Sequence, residues 1–198
     1  MTAFRLGVTG SIGMGKSTTA AMFAEEGLPV WDADAAVHLL YGPNGAAVAP
    51  IAALCPQAQT AAGIDRDALK RWISTDASAL AQLESIVHPL VAADRDAFIA
   101  SAHADIVVLD IPLLFEKGTE AQMDATLLCT APPALQKARV MARGTLTVDQ
   151  FQTILARQMP DVEKRARATH IVETLSLDST RAYVRALITH IREGRRHA

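Results

Sequence analysis

Two glycines five residues apart, then a lysine and a serine, form the chemically distinctive part of GVTGSIGMGKST, residues 7–18. Gly10, Gly15, Lys16 and Ser17 meet the pattern G-x-x-x-x-G-K-[ST]. Glycines let a backbone curl until successive N–H groups aim at phosphate oxygens. Lys16 is long enough to reach β- and γ-phosphates, and the Ser17 hydroxyl is a hard oxygen suited to Mg²⁺. A helix beginning here turns its positive dipole end to the anion. The chemistry implied is the binding of a nucleotide through its phosphates. Gly13 does not convert the loop into the dinucleotide fingerprint G-x-G-x-x-G, which would need glycine where Val8 or Ile12 stands.

Phosphoryl transfer needs an acceptor and a group to take its proton. WDADAA, beginning at Trp31, holds two carboxylates, Asp32 and Asp34. An acceptor hydroxyl titrates far above neutrality, so a carboxylate that receives its proton late in transfer would help. One aspartate can cap the helix starting near Ala35 while the other acts as base. Asp34 is the candidate base, and Asp32 its orienting partner or the holder of a metal-bound water. Arg139 and Arg143 are four apart, hence on one helical face, where they form either a solvated basic face or a pair that neutralises transferring phosphate. Asp110 ends the apolar run IVVLD, well placed for a contact to Mg²⁺ or acceptor, and equally able to serve as an ion-pair partner. In the following DIPLLFE, Leu113, Leu114 and Phe115 read as packing residues, and Glu116 as an ion-pair or capping residue. His88-Pro89 reads first as a break between two helices, because the residue before proline is pushed toward extended backbone.

These residues need a scaffold. FRLGVTG, LPVWD, IVVLDI, ATLLCTA and THIVET, at residues 4–10, 28–32, 106–111, 125–131 and 169–174, read as strands separated by helical patterns. The alternation predicts an α/β fold, with a parallel five-stranded sheet between helical layers. Residues 33–105 are too long for one crossover helix and read as an inserted helical subdomain. Residues 135–167 are helical and rich in basic side chains, and read as a lid. The core is then 1–32, 106–134 and 168–198. The chain of 198 residues is half apolar with a net charge of −2, enough for a sizeable core and without bulk attraction to nucleic acid or an anionic membrane. Its two cysteines, Cys55 and Cys129, have no metal-ligand spacing and fit a reducing compartment. No secretory signal or membrane span is read, so a cytoplasmic protein is expected, as a monomer or weak homo-oligomer. The basic C-terminus, HIREGRRHA, reads as a solvated helix end.

Several nucleotide-using classes are excluded. The only asparagine, Asn44, is followed by GAAV, so the guanine-reading N-K-x-D is absent, as is D-x-x-G. The chain is short for a mechanical ATPase. A small phosphotransferase remains, with ATP and acceptor meeting under a lid. Its rivals are another small-molecule or nucleoside kinase, and a regulator that binds ATP without transferring it.

Taken in order, GVTGSIGMGKST, VWDAD, IDRDALKRWI, LESIVHPLV, VVLDIPLLFEKG, LQKARVMAR and ILARQM resemble dephospho-CoA kinase, from about residue 5 to 173. The resemblance implies a P-loop NTPase core and transfer of the ATP γ-phosphate to the ribose 3′-hydroxyl of dephospho-coenzyme A, the last step of coenzyme A synthesis. By the same resemblance, Gly13, Met14, Gly15, Lys16, Ser17 and Thr18 hold the ATP phosphates, with Mg²⁺ near Ser17. Asp34 corresponds to the general base, and Arg139 and Arg143 to lid arginines. His88 stands near the acceptor, and residues 33–105 bind the coenzyme. The chain departs from the family where Ser11 and Met14 replace glycine and serine in the loop. It departs again where Thr169 replaces an acid and Thr174 an asparagine, at the expected nucleobase contacts and the last strand's turn.

Overall fold

The computed structural model describes residues 3–196, which form two compact units, 3–31 with 102–196, and Asp32–Ser101. In the first unit, strands β1 (Phe4–Thr9), β2 (Val30–Asp32), β5 (Ile106–Asp110), β6 (Ala125–Thr130) and β7 (His170–Glu173) form one sheet in the order β2-β5-β1-β6-β7. The ladders of β1 with β5, β1 with β6, and β6 with β7 are all parallel, so the loops that follow the strands gather at one edge. β5 and β6 are buried throughout, as unbroken apolar runs covered on both faces should be. One face carries Leu6, Val8, Val108, Leu127 and Val172 against Met22 and Phe23 of α1 (Lys16–Glu25) and Val184, Leu187 and Ile188 of α9 (Leu177–Arg196). On the other face Leu114 packs over Gly7, within 3.2 Å of where a Cβ would stand.

The five strands and the parallel sheet are as the sequence implies. In DIPLLFE, Leu114 and Phe115 are buried, but Leu113 is 38% exposed: the turn after β5 aims it outward, so it is not the packing residue expected. The C-terminal helix is also more than a solvated end. Arg192 bonds the Asp105 carboxylate at 2.7 Å and Arg195 its carbonyl at 2.5 Å, while His197 and Ala198 lie outside the described residues.

The unit Asp32–Ser101 is mainly helical: α2 (Ala33–Tyr41), α3 (Val48–Leu54), α4 (Arg66–Thr75) and α5 (Ala79–Ser101). It has its own core, including Ile51, Leu69, Leu83 and Val87. A hairpin of β3 (Gln59–Thr60) and β4 (Gly63–Ile64) was not foreseen, being only two residues per strand. His88-Pro89 does not break the chain into two helices. α5 runs through Pro89 for 23 residues, because apolar packing of Leu83 and Val87 outweighs the one backbone hydrogen bond that proline removes.

The region read as a lid contains α6 (Pro133–Ala142), α7 (Val148–Ala156) and α8 (Asp161–Arg167). Thr147 and Gln150 close a reciprocal capping box at the start of α7, which defines the turn after α6.

Candidate functional site

The glycine loop runs from the end of β1 into α1, and its geometry is that of an anion cradle. Gly15 caps α1 at φ +86°, and no side chain caps the helix. The N–H groups of Lys16, Ser17 and Thr18 therefore have no acceptor within the helix and point out of its positive end. Gly13 sits at φ +77°, a conformation other residues rarely adopt, and α6 presses on it. A Cβ there would come within 2.6 Å of Val140 Cγ2, and one at Gly15 within 2.9 Å of Thr174 Oγ1. Both glycines are thus required by space as well as by φ.

Lys16 Nζ lies 2.5 Å from Oδ1 of Asp110, which is 1% exposed at the end of β5. The register Val8↔Asp110 explains the meeting, because β1 feeds the loop and β5 is its neighbour. Asp110 is therefore the partner of the loop lysine. Ser17, next to Lys16 in sequence, is exposed on the first turn of α1. The donors available are hard oxygens, the Ser17 hydroxyl and the Asp110 carboxylate. This set suits Mg²⁺ held mainly through substrate phosphates and water.

Behind the loop, Cys129 is fully buried. Loss of solvent pushes its thiol up to about 12, which keeps it protonated and inert. It is the small buried residue the sequence implied.

Arg139 and Arg143 line one cavity of about 440 Å³ together with Gly13, Gly15, Thr18 and residues 174–177. Arg139 donates from Nη1 to Thr174 Oγ1 at 2.9 Å and from Nη2 to the Thr174 carbonyl at 2.5 Å. Arg143 is exposed just past the last turn of α6. The shared face predicted from their spacing is present.

The two threonines that depart from the family pattern both have work to do. Thr169 exchanges hydrogen bonds with Thr126, pinning the start of β7 to β6. Thr174, 5% exposed, donates from Oγ1 to the Met14 carbonyl at 2.9 Å and continues the ladder through its N–H to Thr130 O. One hydroxyl thus joins the glycine loop to Arg139. Met14 contributes as well, its sulfur accepting the Ala131 N–H at 3.0 Å.

Asp32 ends β2 and caps α2, accepting from the N–H groups of Asp34 at 2.7 Å and Ala35 at 3.0 Å. The division of labour between the two aspartates is resolved locally. Asp32 is the cap, and the Asp34 carboxylate is exposed on the first turn of α2. His88 is exposed on α5, with Nε2 3.8 Å from Glu84 Oε1.

Sequence reasoning missed three residues that shape this region. Gln136 and Gln158 bond the loop at Ile12. Lys164, fully buried, lies 2.8 Å from Glu116 Oε1, which also accepts the Met159 N–H. Burial works against the Glu116 charge, but the Lys164 ammonium beside it and the Met159 N–H outweigh it and hold the carboxyl below its usual range. Glu116 is thus the ion-pair residue expected, tying the turn after β5 to α8. Polar residues inside a helical pattern carry no sequence signal that marks them as buried.

Glycine loop, lysine, helix terminus and parallel sheet together define a P-loop NTPase fold. Fold likeness extends to shikimate kinase from Acinetobacter baumannii, at 14% identity with a TM-score of 0.54 over 97% of this chain and 94% of that one. The model of the dephospho-CoA kinase family matches residues 4–178, and the chain belongs to that family. A dephospho-CoA kinase of Cereibacter sphaeroides is 70% identical over 98% of both chains, and one of Ruegeria pomeroyi is 57% identical over 98% of this chain and 99% of that one. A crystal structure from Thermus thermophilus superposes with a TM-score of 0.84 at 36% identity, covering 98% of each chain. No helix among the described residues is long and apolar enough to cross a membrane.

Proposed function

We propose that the chain transfers the γ-phosphate of ATP to the ribose 3′-hydroxyl of dephospho-coenzyme A. The observation that carries this reading is the open, uncapped N-terminus of α1 behind a glycine loop, with Lys16 at its mouth. The amides of Gly13, Gly15, Lys16, Ser17 and Thr18 are the proposed phosphate cradle, while Met14, whose N–H donates to the Ser11 carbonyl at 3.1 Å, shapes the turn that presents them. The adenosine half of ATP is assigned to the neighbouring cavity, whose volume is in the range of small-ligand sites.

Transfer forms one bond and breaks one. The acceptor oxygen bonds to the γ-phosphorus, and the bond from that phosphorus to the β–γ bridging oxygen breaks, leaving its electron pair on ADP. The acceptor proton passes to the Asp34 carboxylate. The capping role of Asp32 supports this assignment, since it leaves the second carboxylate available. Lys16 exchanges its contact with Asp110 for phosphate oxygens. Arg139 and Arg143 offset charge on the moving phosphoryl group. Mg²⁺, when bound near Ser17, neutralises the β- and γ-oxygens. Asp110 then orients water or acceptor, and His88 belongs to the acceptor-binding surface. The helical unit Asp32–Ser101 is assigned to the coenzyme, and residues 135–167 to a lid that excludes water during transfer. A cytoplasmic location and a monomeric or weakly associating state complete the reading.

A panel of acceptors with ATP and Mg²⁺, followed for ADP, tests it. Acceptor-dependent ADP with dephospho-coenzyme A is expected. ADP formed only with nucleosides, or no turnover despite tight ATP binding, contradicts it.

A further inference from the structure

Both polar backbone groups of Ile12, in the middle of the glycine loop, are held by side chains from the helical region 135–167. The Ile12 N–H donates to Gln158 Oε1 at 3.1 Å. The Ile12 carbonyl accepts from Gln136 Nε2 at 2.7 Å. Gln136 is on α6 and only 3% exposed; Gln158 follows α7 and is half-buried. The two side chains sit on opposite sides of the α6–α7 turn in sequence, yet converge on one residue.

The consequence follows from peptide geometry. In a trans peptide the C=O and N–H point in opposite directions. Pinning the Ile12 carbonyl to Gln136 therefore sets the direction of the Gly13 N–H. Gly13 lines the cavity beside the loop, and its positive φ permits the reversal that follows. The Gln158 contact consumes the Ile12 N–H, so that donor is withdrawn from the cradle and the turn is fixed from its other end. A peptide plane left unpinned in a glycine-rich turn can flip and replace a donor with a carbonyl oxygen facing the anion.

We infer that Gln136 and Gln158 are positioning residues for the glycine loop, which set the peptides on either side of Ile12 so that the loop presents donors to phosphate. This rests on the reading of the loop as the ATP phosphate site. The chemical demand differs at the two positions: a donor at 136 and an acceptor at 158.

The test uses the full chain and Gln136→Leu, Gln158→Leu and the double variant. ATP affinity is measured by calorimetry, the dephospho-coenzyme A KM by steady-state kinetics, and the Ile12 and Gly13 amide resonances by NMR with ¹⁵N labelling. Each single variant is expected to weaken ATP about tenfold, the size of one lost hydrogen bond of this kind. The KM for dephospho-coenzyme A should stay within about twofold, a split that general damage to the fold would not produce. The double variant should lose less than the product of the singles, because both act through one loop conformation. In Gln158→Leu the Ile12 amide resonance should move upfield, as a released donor does. Gln136→Glu, which keeps shape but loses the donor, should be as weak as Gln136→Leu. If the buried Gln136 variants do not fold, the half-buried Gln158→Leu decides alone. Wild-type ATP affinity in a folded Gln158→Leu whose Ile12 amide has moved overturns the inference, as does an unmoved amide. Failure of the wild-type chain to bind ATP would instead remove the reading of the loop.

Discussion

Replacing Thr174 by valine exchanges one buried hydroxyl for a methyl and leaves β-branching and volume nearly unchanged. The backbone ladder from Thr174 N to Thr130 O and the bond from Arg139 Nη2 to the Thr174 carbonyl both survive. The hydroxyl's contacts are lost: its donation, to the Met14 carbonyl at 2.9 Å with the Thr130 carbonyl farther off at 3.3 Å, and its acceptance from Arg139 Nη1 at 2.9 Å. A neutral hydrogen bond contributes about 1 kcal/mol net, one to a charged group about 1.5–3 kcal/mol, and a carbonyl left unsatisfied in the interior adds its own cost. Arg139 keeps one bond and reaches the cavity, which discounts its share. A net loss of about 2–3 kcal/mol follows, near the upper half of ordinary single-residue effects. For a chain of this size each kcal/mol moves Tm by about 2–4 °C, so Thr174→Val should melt about 4–12 °C lower. The loosened Met14 carbonyl and Arg139 should also weaken ATP roughly tenfold. Thr174→Ser, which retains the hydroxyl, should recover most of both. The assays are thermal unfolding followed by circular dichroism and calorimetric ATP titration. A valine variant within about 1 °C of the parent, binding ATP as tightly, would refute the claim that this hydroxyl links loop and arginine.

Lys16→Ala removes the loop cation and takes an ion-pair partner from Asp110, which is 1% exposed. It should therefore weaken ATP and cut turnover by at least about 10²-fold, and lower Tm without ligand, as measured by titration, kinetics and melting. Gly13→Ala adds a Cβ within 2.6 Å of Val140 at φ +77°, so it should destabilise the fold and weaken ATP, whereas Val140→Ala in the same background should recover part of the stability but not the φ strain. Because the Glu116 carboxyl is held below its usual range, its contribution is complete above about pH 4.5 and is lost as pH falls through its lowered value. Glu116→Gln should accordingly flatten the decline in stability on acidification while lowering Tm at pH 7, readable from a series of melts.

How much was legible in the sequence depended on whether a feature is local. The loop GSIGMGKS announces itself because glycines, lysine and hydroxyl are all needed within eight residues. The five strands were visible because parallel strands covered on both faces are continuous apolar runs, as in IVVLD. The capping of α2 was legible as a pair of possibilities, and only geometry assigned the cap to Asp32. His88-Pro89 misled because a local steric rule was outweighed by the packing of a long helix. In the sequence Thr174 stands out only as a departure from the family pattern. Its role needs the meeting of residues 14, 139 and 174, which no spacing predicts. Gln136, Gln158 and Lys164 are silent for the same reason, since a polar side chain turned inward, from a helix at 136 and 164 or from the turn after α7 at 158, looks like any surface residue until its partner is known.

Single-turnover transfer from ATP labelled at the γ-phosphate to dephospho-coenzyme A, with the product's phosphate position assigned by NMR, bears on the central claim most directly. The account predicts label on the ribose 3′-oxygen with the parent chain, and a rate lower by about 10²-fold or more in Asp34→Asn with ATP affinity nearly unchanged. Label at another position, or an Asp34→Asn chain that transfers as fast as the parent, would contradict it.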